Sequence, residues 1–539
     1  MNRPRSFRLR APAAVLLAAA MAAGCDRQTP PPAYDPLAAA WASTGQIANP
    51  EAVIPAACYT DTSDGANPCW TCHTTGQGRN RADTVELQRE AAFSEAATDN
   101  YWTALFEDRR EQAAAFAAPE MEAWIAADNY TPLRAALAGR AHYPGFVPDL
   151  DLHRGVDDQG FALDGSGWRA LRFKPFPGTF WPTNGAANDV WIRLPPAFRR
   201  DRSGNPDGAI YRLNFALVEA AIAAPQGRAR EVEPVDERLI GVDLDGDGEL
   251  GMTRRVVALP DRYAGGAADT LLVPGLLPLG TEFLHSLRYL DLDQPGARSR
   301  RVRELRYARK WRMPTDDEIA AAYAEEAREK AAGLLPRFAG TPLAGLANDF
   351  GWRYQGFIED AEGRLRVQTH EEQQFCMGCH SNLGVTVDGS FSLARKLPGA
   401  AGWAPQDLTG QVDTPQQGHE APEALTYFLR ARGGDEFLAN GELLDRFWRD
   451  GRLDEAEVLR AAEGGDRDLA WLLLPGPERA DALNRAYRVK VQAQDFVRGR
   501  EAPLAPPQRV LRRIKEPDTG LATLGRVYDD GSPWLDSGF

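Results

Sequence analysis

Apolar residues recur with helical spacing in several segments of the chain. Before residue 140 they include MEAWIAA and TPLRAALAG, and near the C-terminus they include ALTYFLRARG, GELLDRFWRD and DEAEVLRAA. Thr315 and Glu318 form a capping-box pattern ahead of IAAAYAEEAREKAAGLL. Apolar positions three or four residues apart form one face of an α-helix, and Thr-x-x-Glu marks a helix start. These segments predict helices within residues 83–139 and after residue 315.

Residues 141–312 have a different pattern. Segments such as WRALRFKPF, DVWIRLP, TRRVVALP and RVRELRYARKW alternate apolar and polar positions, and turns rich in Gly, Pro and Asp separate them. Alternation with a period of two is typical of short strands. This region is therefore predicted to be a mixed α/β or β-containing insertion.

The two patterns together predict a mainly α fold with long loops. The predicted domains are residues 51–140, an insertion over residues 141–345, and residues 346–539 with an irregular tail. The 50 Gly and 39 Pro residues favour long irregular connections between short elements.

The N-terminus has the features of an export signal. Four arginines precede the apolar run APAAVLLAAAMAA, which is shorter than a membrane span, and small residues lead to Cys25. This ending resembles a bacterial lipobox. The resemblance implies that residues 1–24 are removed, that Cys25 is lipidated, and that the proline-rich residues 25–50 form a spacer. The protein would then be exported and anchored on the periplasmic side of an inner or outer membrane. A plain cleaved signal with an unrelated cysteine is the alternative.

Without residues 1–24 the chain has 58 basic and 76 acidic residues, a net charge of −18. This balance disfavours nucleic-acid binding and suits basic protein partners. The exception is residues 298–312, which contain eight Arg and Lys residues. Runs of this kind are usually solvated strand faces, and that is the expectation here. A contact with cofactor carboxylates or with an acidic partner is the alternative.

Two C-x-x-C-H motifs start 307 residues apart, and they are formed by Cys69, Cys72 and His73 and by Cys376, Cys379 and His380. In haem c attachment the two cysteines form thioethers and the adjacent imidazole binds the iron. A redox dithiol or a zinc pair does not require the histidine. The repeated motif therefore favours haem attachment, with a four-cysteine zinc site as the alternative.

The two motifs and the export signal resemble those of diheme c-type cytochromes. The resemblance covers these short motifs and not the roughly 300 residues between them. It implies two cytochrome c-like haem modules and two covalently bound haem c groups, with His73 and His380 as proximal iron ligands. It also implies electron transfer between periplasmic or membrane redox partners. A diheme peroxidase or oxygenase with one open haem is the alternative.

Each iron needs a sixth ligand or an open position, and the candidates are His142, His153, His285, His370, His419, Met121, Met252, Met313 and Met377. His419 follows the second motif and precedes a helical segment, so it is the predicted distal ligand of the second iron. An exposed loop histidine is the alternative. The sequence does not choose a ligand for the first iron. Cys58 is left over and is expected to be an ordinary thiol, with an intermolecular partner or a thiolate ligand to a haem iron as the alternatives.

The segment GVDLDGDGELG places Asp243, Asp245 and Asp247 at alternate positions before a glycine. Three converging carboxylates suit a hard cation, and D-x-D-x-D-G resembles the first half of an EF-hand loop. The twelfth position departs from that loop because it holds Arg254 in place of a glutamate. We expect Ca²⁺ bound by Asp243, Asp245 and Asp247, with the site completed by Glu249 or by a carboxylate from elsewhere in the chain. An acidic turn between strands is the alternative.

Overall fold

The computed structural model describes residues 34–42, 47–61, 71–72, 95–178, 180–224, 229–334, 337–381, 383–415, 420–432, 435–514, 521–527 and 533–537. Residues 1–35 form a unit of their own, of which only Tyr34 and Asp35 are described. Residues 36–539 form a second compact unit, and the account below concerns that unit. The domain boundaries predicted from the sequence stay predictions.

The helices of the described residues are distributed along the whole of this unit. They are α1 (Ala38–Trp41), α2 (Arg110–Ala114), α3 (Ala118–Ala126), α4 (Tyr130–Ala138), α5 (Gly208–Ala223), α6 (Asp316–Ala331), α7 (His370–Cys379), α8 (Glu423–Ala431), α9 (Asp435–Leu438), α10 (Gly441–Phe447), α11 (Glu455–Glu463), α12 (Leu469–Leu473) and α13 (Pro477–Ala493).

The strands lie mostly between residues 169 and 367. They are β1 (Arg169–Leu171), β2 (Ala187–Arg193), β3 (Arg230–Asp236), β4 (Met252–Val256), β5 (Glu282–Leu290), β6 (Arg298–Lys310), β7 (Gly340–Thr341), β8 (Gly345–Ala347), β9 (Trp352–Glu359), β10 (Leu365–Val367), β11 (Trp448–Arg449), β12 (Arg452–Leu453), β13 (Leu521–Val527) and β14 (Pro533–Ser537).

An eight-stranded antiparallel sheet is the centre of the fold. Its strand order is β1-β2-β5-β6-β9-β8-β7, and β10 pairs with the C-terminal end of β9. The longest ladder joins β5 to β6, with Ser286 opposite Leu305. β2 lies on the other side of β5, and β9 lies on the other side of β6.

This sheet shows that the predicted fold class is wrong. The fold is mixed, with a large antiparallel sheet, and it is not mainly α with two separate cytochrome c-like modules. The physical reason lies in β9, which follows residue 345 and pairs with β6, a strand that precedes that residue. Main-chain hydrogen bonds across the sheet therefore tie together segments that the sequence pattern assigned to different modules.

Both faces of the sheet are covered. Val190, Phe283 and Trp352 belong to a core that also contains the buried helix α5. Trp191, Leu284 and Phe357 point to the opposite face and pack with α4. Because successive strand residues point to opposite faces, these alternating sets define the two sides of the sheet. A strand covered on both faces has no solvent side, so it needs no simple apolar–polar alternation.

Several local predictions are confirmed. α3, α4, α8, α10 and α11 lie where helical spacing predicted helices, and β2 and β6 lie where alternation predicted strands. At the start of α6 the Thr315 hydroxyl accepts a hydrogen bond from the Glu318 N–H, and the Glu318 carboxylate accepts one from the Thr315 N–H. This is the predicted capping box. The predicted helical segment at residues 83–93 lies outside the described residues.

Residues near the two ends of the unit pack together. Ala52, Tyr59 and Trp102 share a small core with Val510 and Ile514. Trp102 also contacts Phe375 of α7 edge to face, with ring centroids 5.8 Å apart. The segments that flank the first C-x-x-C-H motif thus lie against the helix that carries the second.

Within the described part of the chain, every helix is too short or too polar to cross a membrane.

Candidate functional site

The site lies where α7 meets one face of the central sheet. His285 of β5 is opposite Val190 of β2 and opposite Arg306 of β6. Residues opposite one another in a sheet point to the same face, so these three side chains form one row. Asn188 lies two residues before Val190 and therefore points to this face as well. The sheet thus presents a histidine and an arginine from its centre, where most strands carry apolar side chains.

α7 presents the second C-x-x-C-H motif to this face. Thr369 and Glu372 form a capping box that fixes the start of the helix. Cys376 and Cys379 are three residues apart, so their thiols lie on the same side of the helix. Both cysteines are buried, with 7% and 9% of their surface exposed. The helix ends at Cys379, and His380 follows as its C-terminal cap.

The imidazole of His380 is held from three directions. Its Nδ1 lies 3.0 Å from the carbonyl oxygen of Gly389, which can only accept, so Nδ1 carries the proton. Tyr354 lies against the ring at a centroid distance of 4.5 Å, and Phe391 contacts its edge at 5.4 Å. The Tyr354 hydroxyl donates to the same Gly389 carbonyl. Nε2 is therefore left as the lone-pair nitrogen of a fixed ring.

A buried ion pair supports the turn that holds His380. Lys310, at the end of β6, donates to the Asp388 carboxylate and to the Phe350 carbonyl, at 2.5 Å each. The other Asp388 oxygen accepts from the Leu277 N–H. Both side chains of the pair are fully buried. Asp388 has a φ of 55° and directly precedes Gly389, so the pair fixes the backbone that supplies the carbonyl to His380.

A cavity of about 670 Å³, including its opening to solvent, separates α7 from the sheet. Most of its wall is apolar, with five phenylalanines, and polar side chains interrupt it. It is lined by Phe173, Phe176, Phe180, Phe375 and Phe391, and by Asn188, Val190, His285, Arg306, Cys376, Cys379, His380, Ser392 and Arg395. An apolar cavity with a few convergent polar groups has the character of a cofactor or ligand site.

The environment keeps the donors of the cavity neutral. Burial raises the pKa of Cys376 and raises that of Cys379 to about 12. Burial, opposed by the hydrogen bond to Gly389, lowers the pKa of His380 to about 4. Burial and the nearby Arg306 lower the pKa of His285 to about 3. Near neutral pH the cavity therefore offers two thiols and two uncharged imidazoles.

His285 and Arg306 both keep an unsatisfied nitrogen in this region. The Nε2 atom of His285 is shielded from solvent and has no hydrogen-bond partner among the described residues. Within the same part of the chain the Nε atom of Arg306 is also without a partner, although its Nη2 donates to Glu304 at 2.9 Å. Buried polar atoms are usually satisfied, so such atoms beside a cavity point to a missing partner.

The spacing of the donors argues against a compact metal site in this cavity. Within the described residues, Glu237, Asp243 and Asp245 form the group whose ligand atoms all lie within 4.8 Å of one another. Among the described residues, no three of the cysteine and histidine donors of the cavity have ligand atoms that all lie within that distance. A tetrahedral zinc site needs bonds of about 2.0–2.3 Å, so its donors lie closer together than these do.

The first C-x-x-C-H motif is only partly described. Cys69 and His73 lie outside the described residues, whereas Cys72 is half-buried. The carbonyl oxygen of Cys72 accepts a hydrogen bond from the Val385 N–H at 3.3 Å. Val385 follows His380 by five residues. The end of the first motif therefore lies next to the loop after the second.

The other predicted iron ligands do not line this cavity. Met121 is buried in a separate core, and Met377 packs in the main core. Met252 is exposed, and His153 pairs with Asp128 at 3.1 Å. The remaining candidates are also elsewhere: His142 is exposed, and Met313 and His370 are half-buried away from the cavity. His419, the predicted distal ligand, lies outside the described residues.

The acidic loop lies between Glu237, which directly follows β3, and β4, and hydrogen bonds within the loop close it. The Glu237 carboxylate accepts from the N–H groups of Leu244 and Gly251. The two Asp243 oxygens accept from Gly246 and Gly248, and these bonds lower the pKa of Asp243. Glu237 joins Asp243 and Asp245 in the carboxylate group described above, whereas Asp247 and Glu249 do not. Glu237 was not singled out in the sequence because it lies six residues before Asp243, outside the Asp-rich motif.

The basic segment is not a solvated strand face. It forms β6, whose residues are mostly buried in the middle of the sheet. Arg301 pairs with Glu359 at 3.0 Å, and the guanidinium of Arg303 lies 3.4 Å from the centroid of the Tyr487 ring. Arg306 is the member that reaches the cavity.

The fold and the cavity define a protein built on an antiparallel sheet, in which a helix brings buried thiols and an imidazole to a histidine-bearing sheet face. The chain belongs to a family of lipoproteins, because a family model described as a lipoprotein matches residues 42–437. It is also 32% identical, over 84% of its length and 86% of the relative's, to a protein of Aquifex aeolicus named "Uncharacterized lipoprotein". No solved structure gives a significant match.

These comparisons overturn the predicted membership in diheme c-type cytochromes. The matching family is a lipoprotein family, and no cytochrome c family matches. The resemblance was carried by ten motif positions and an export signal, whereas the family match extends over most of the chain. Membership in a lipoprotein family indicates membrane association through a lipid anchor. The predicted anchor, Cys25, lies outside the described residues.

Proposed function

We propose that this lipoprotein binds haem covalently at Cys376 and Cys379 and transfers electrons. The observation that carries the proposal is the position of His380, whose Nδ1 donates to a backbone carbonyl while Nε2 remains available at the cavity. Histidines that bind metals commonly donate their other ring N–H to such an acceptor, which fixes the ring and its tautomer. Haem attachment does not depend on the cytochrome c fold, because functional sites recur on unrelated folds.

Two other uses of the motif fit the cavity less well. A redox dithiol needs a cysteine with a lowered pKa, whereas burial raises the pKa of both thiols here. A zinc site needs donors that are closer together than those of the cavity. A large aromatic cofactor fits better, because its apolar body would contact the phenylalanines while the thiols and imidazoles reach its edge and centre.

The residues of this chain have distinct roles in the proposed site. Cys376 and Cys379 would hold the haem by thioethers, and His380 would bind its iron. When bound, the haem supplies one-electron redox chemistry. The aromatic wall excludes water, and a dry, weakly polar surrounding is one means by which a protein sets a redox potential. Arg306 places a positive charge beside the site.

The first motif extends the proposal to a second haem. Cys69, Cys72 and His73 have the same spacing, and Cys72 contacts the loop that follows His380. Attachment points that are neighbours in space suit electron transfer between two haems. The lipid anchor would hold this relay at a membrane, on the periplasmic side as the export signal predicts. The acidic net charge would favour basic redox partners.

The test is haem content after export in a host that matures c-type haem. The denatured chain should keep its haem through acid–acetone extraction, and the pyridine haemochrome should give one haem per motif. A Cys376→Ala/Cys379→Ala variant should lose one haem, whereas Cys58→Ala, outside both motifs, should keep the full count. A colourless wild-type chain would contradict the proposal, and so would zinc at stoichiometric amounts.

We also propose that the acidic loop binds Ca²⁺ through Asp243 and Asp245, with Glu237 as a ligand. Their mutual spacing and hard carboxylate oxygens support this proposal. The ion would stabilise the loop between β3 and β4 and would not take part in electron transfer.

A further inference from the structure

We infer that His285 is the sixth ligand of the haem iron at the second motif. The inference rests on the proposed haem site and adds the residue on the other side of the cofactor. It is carried by the Nε2 atom of His285, which lines the cavity, is shielded from solvent and has no partner in the part of the chain that the structure describes. A neutral imidazole nitrogen is a strong ligand for iron.

The position of His285 is set by the sheet and not by a loop. Its backbone pairs with Val190 on one side and with Arg306 on the other. The backbone of a residue at the centre of three paired strands cannot move without breaking the hydrogen bonds between those strands. The imidazole is therefore preorganised on one wall of the cavity, while α7 presents His380 from another.

Competing ligands within the cavity are absent among its described lining residues. His285 and His380 are the imidazoles of that lining. The described methionines and the other described histidines of the chain lie elsewhere. Met377, although inside the motif, packs in the main core. His285 therefore has the best position of the described candidates. His419 is the alternative ligand predicted from the sequence, and the experiment must compare the two residues directly.

The test is the spin state of the haems in the intact, haem-loaded lipoprotein. In the wild type, near-infrared magnetic circular dichroism of the oxidised protein should show the charge-transfer band of bis-imidazole ligation. In His285→Ala, one haem should become high-spin by electron paramagnetic resonance, and the reduced protein should bind one carbon monoxide per chain. The haem count should not change, because the thioethers remain.

Two further variants test the same ligand if His285→Ala folds poorly. Added imidazole should restore the low-spin spectrum of His285→Gly, since the vacated side chain leaves room for it. His285→Met should stay low-spin with a higher reduction potential, because histidine–methionine ligation raises the potential. His153→Ala, at a partly exposed histidine paired with Asp128, is the matched control and should leave both spectra unchanged.

The outcomes separate the inference from the proposed function. A wild-type chain without covalent haem overturns both. A chain that holds haem and stays low-spin in His285→Ala, while His419→Ala becomes high-spin, overturns the ligand inference alone. A wild type whose second haem already binds carbon monoxide stoichiometrically also overturns the inference, because that iron would then have an open position.

Discussion

Lys310 and Asp388 show how a single buried pair can support a site that neither residue touches. Asp388 directly precedes Gly389, whose carbonyl oxygen accepts a hydrogen bond from the His380 ring, and Lys310 donates to the Asp388 carboxylate. Burial raises the pKa of Asp388, and Lys310 opposes that rise. Loss of the lysine would leave a buried carboxylate without its positive partner, although the Leu277 N–H would still donate to it.

We expect Lys310→Ala to destabilise the protein by about 3–5 kcal/mol, because removal of one partner leaves the other buried without compensation. The free energy of unfolding in urea measures this effect. Arg328→Ala is the control, since Arg328 forms an exposed ion pair with Glu325 and should cost less than about 1 kcal/mol. Equal losses in the two variants would contradict the role given to the buried pair.

The two cavity histidines predict a pH dependence for the protein without haem at this motif. In the Cys376→Ala/Cys379→Ala variant, the unfolded histidines take up protons as the pH falls through about 6.5, whereas folded His380 and His285 stay neutral to about 4 and 3. The unfolded state then binds more protons, so stability should fall between pH 6.5 and 5, by at most about 2 kcal/mol for each histidine.

Urea unfolding at several pH values checks this prediction. Adding His285→Leu to the same variant should reduce the slope of stability against pH, because one of the two titrating groups is gone. A slope that His285→Leu leaves unchanged would show that this imidazole is not buried in its neutral form.

At the scale of elements, local structure could be predicted and pairing could not. The capping box of α6 and the periodicity of α4 depend on residues within one or two turns of each other, so the sequence contains their whole signal. β6 was predicted as a strand, but its basic residues suggested a solvent-exposed face. Their burial depends on partners such as Glu359 and Asp388, which are distant in sequence.

The site shows the same division. The C-x-x-C-H motifs could be predicted because their spacing is local. The role of His285 could not, because β5 places it beside α7 through strand register. Nothing in the sequence around His285 distinguishes it from an ordinary core histidine.

The acidic loop gives an element-scale prediction. Ca²⁺ should raise the unfolding temperature, with a stabilisation of about 2.7 kcal/mol at a hundredfold excess over the dissociation constant. Asp245→Asn should remove most of this response, because Asp245 belongs to the carboxylate group. Asp247→Asn is the matched control and should keep it. Thermal unfolding with Ca²⁺, Mg²⁺ or a chelator measures the effect, and the same Ca²⁺ response in both variants would exclude the proposed ligands.

At the scale of the molecule, the N-terminal part of the compact unit is packed directly onto the second motif. A Cβ atom at Gly378, within that motif, would lie 1.7 Å from the Val53 carbonyl oxygen. Two non-bonded atoms cannot be that close, so a residue with a side chain at this position would push residues 52–56 away from α7. The glycine in the motif is therefore required by a contact with a segment more than 300 residues earlier.

We expect Gly378→Ala to cost about 1–3 kcal/mol, which is typical of overpacking. Gly139→Ala, where a Cβ would meet nothing within 4 Å, is the control and should change stability little. Thermal unfolding compares the two. Protease cleavage within residues 47–61 should also increase in Gly378→Ala if that segment has separated from α7, and unchanged cleavage would argue against the contact.

The burial of the two thiols has a consequence for the maturation of the protein. Cys376 and Cys379 have less than a tenth of their surface exposed in the folded chain, and α7 is covered by residues 52–56 on one side and by the sheet on another. An enzyme that forms thioether bonds needs access to both sulfur atoms. If the proposed haem is attached here, attachment would have to precede closure of the cavity. The order would then be export, thioether formation and final folding around the cofactor, and a chain that folded first could no longer receive it.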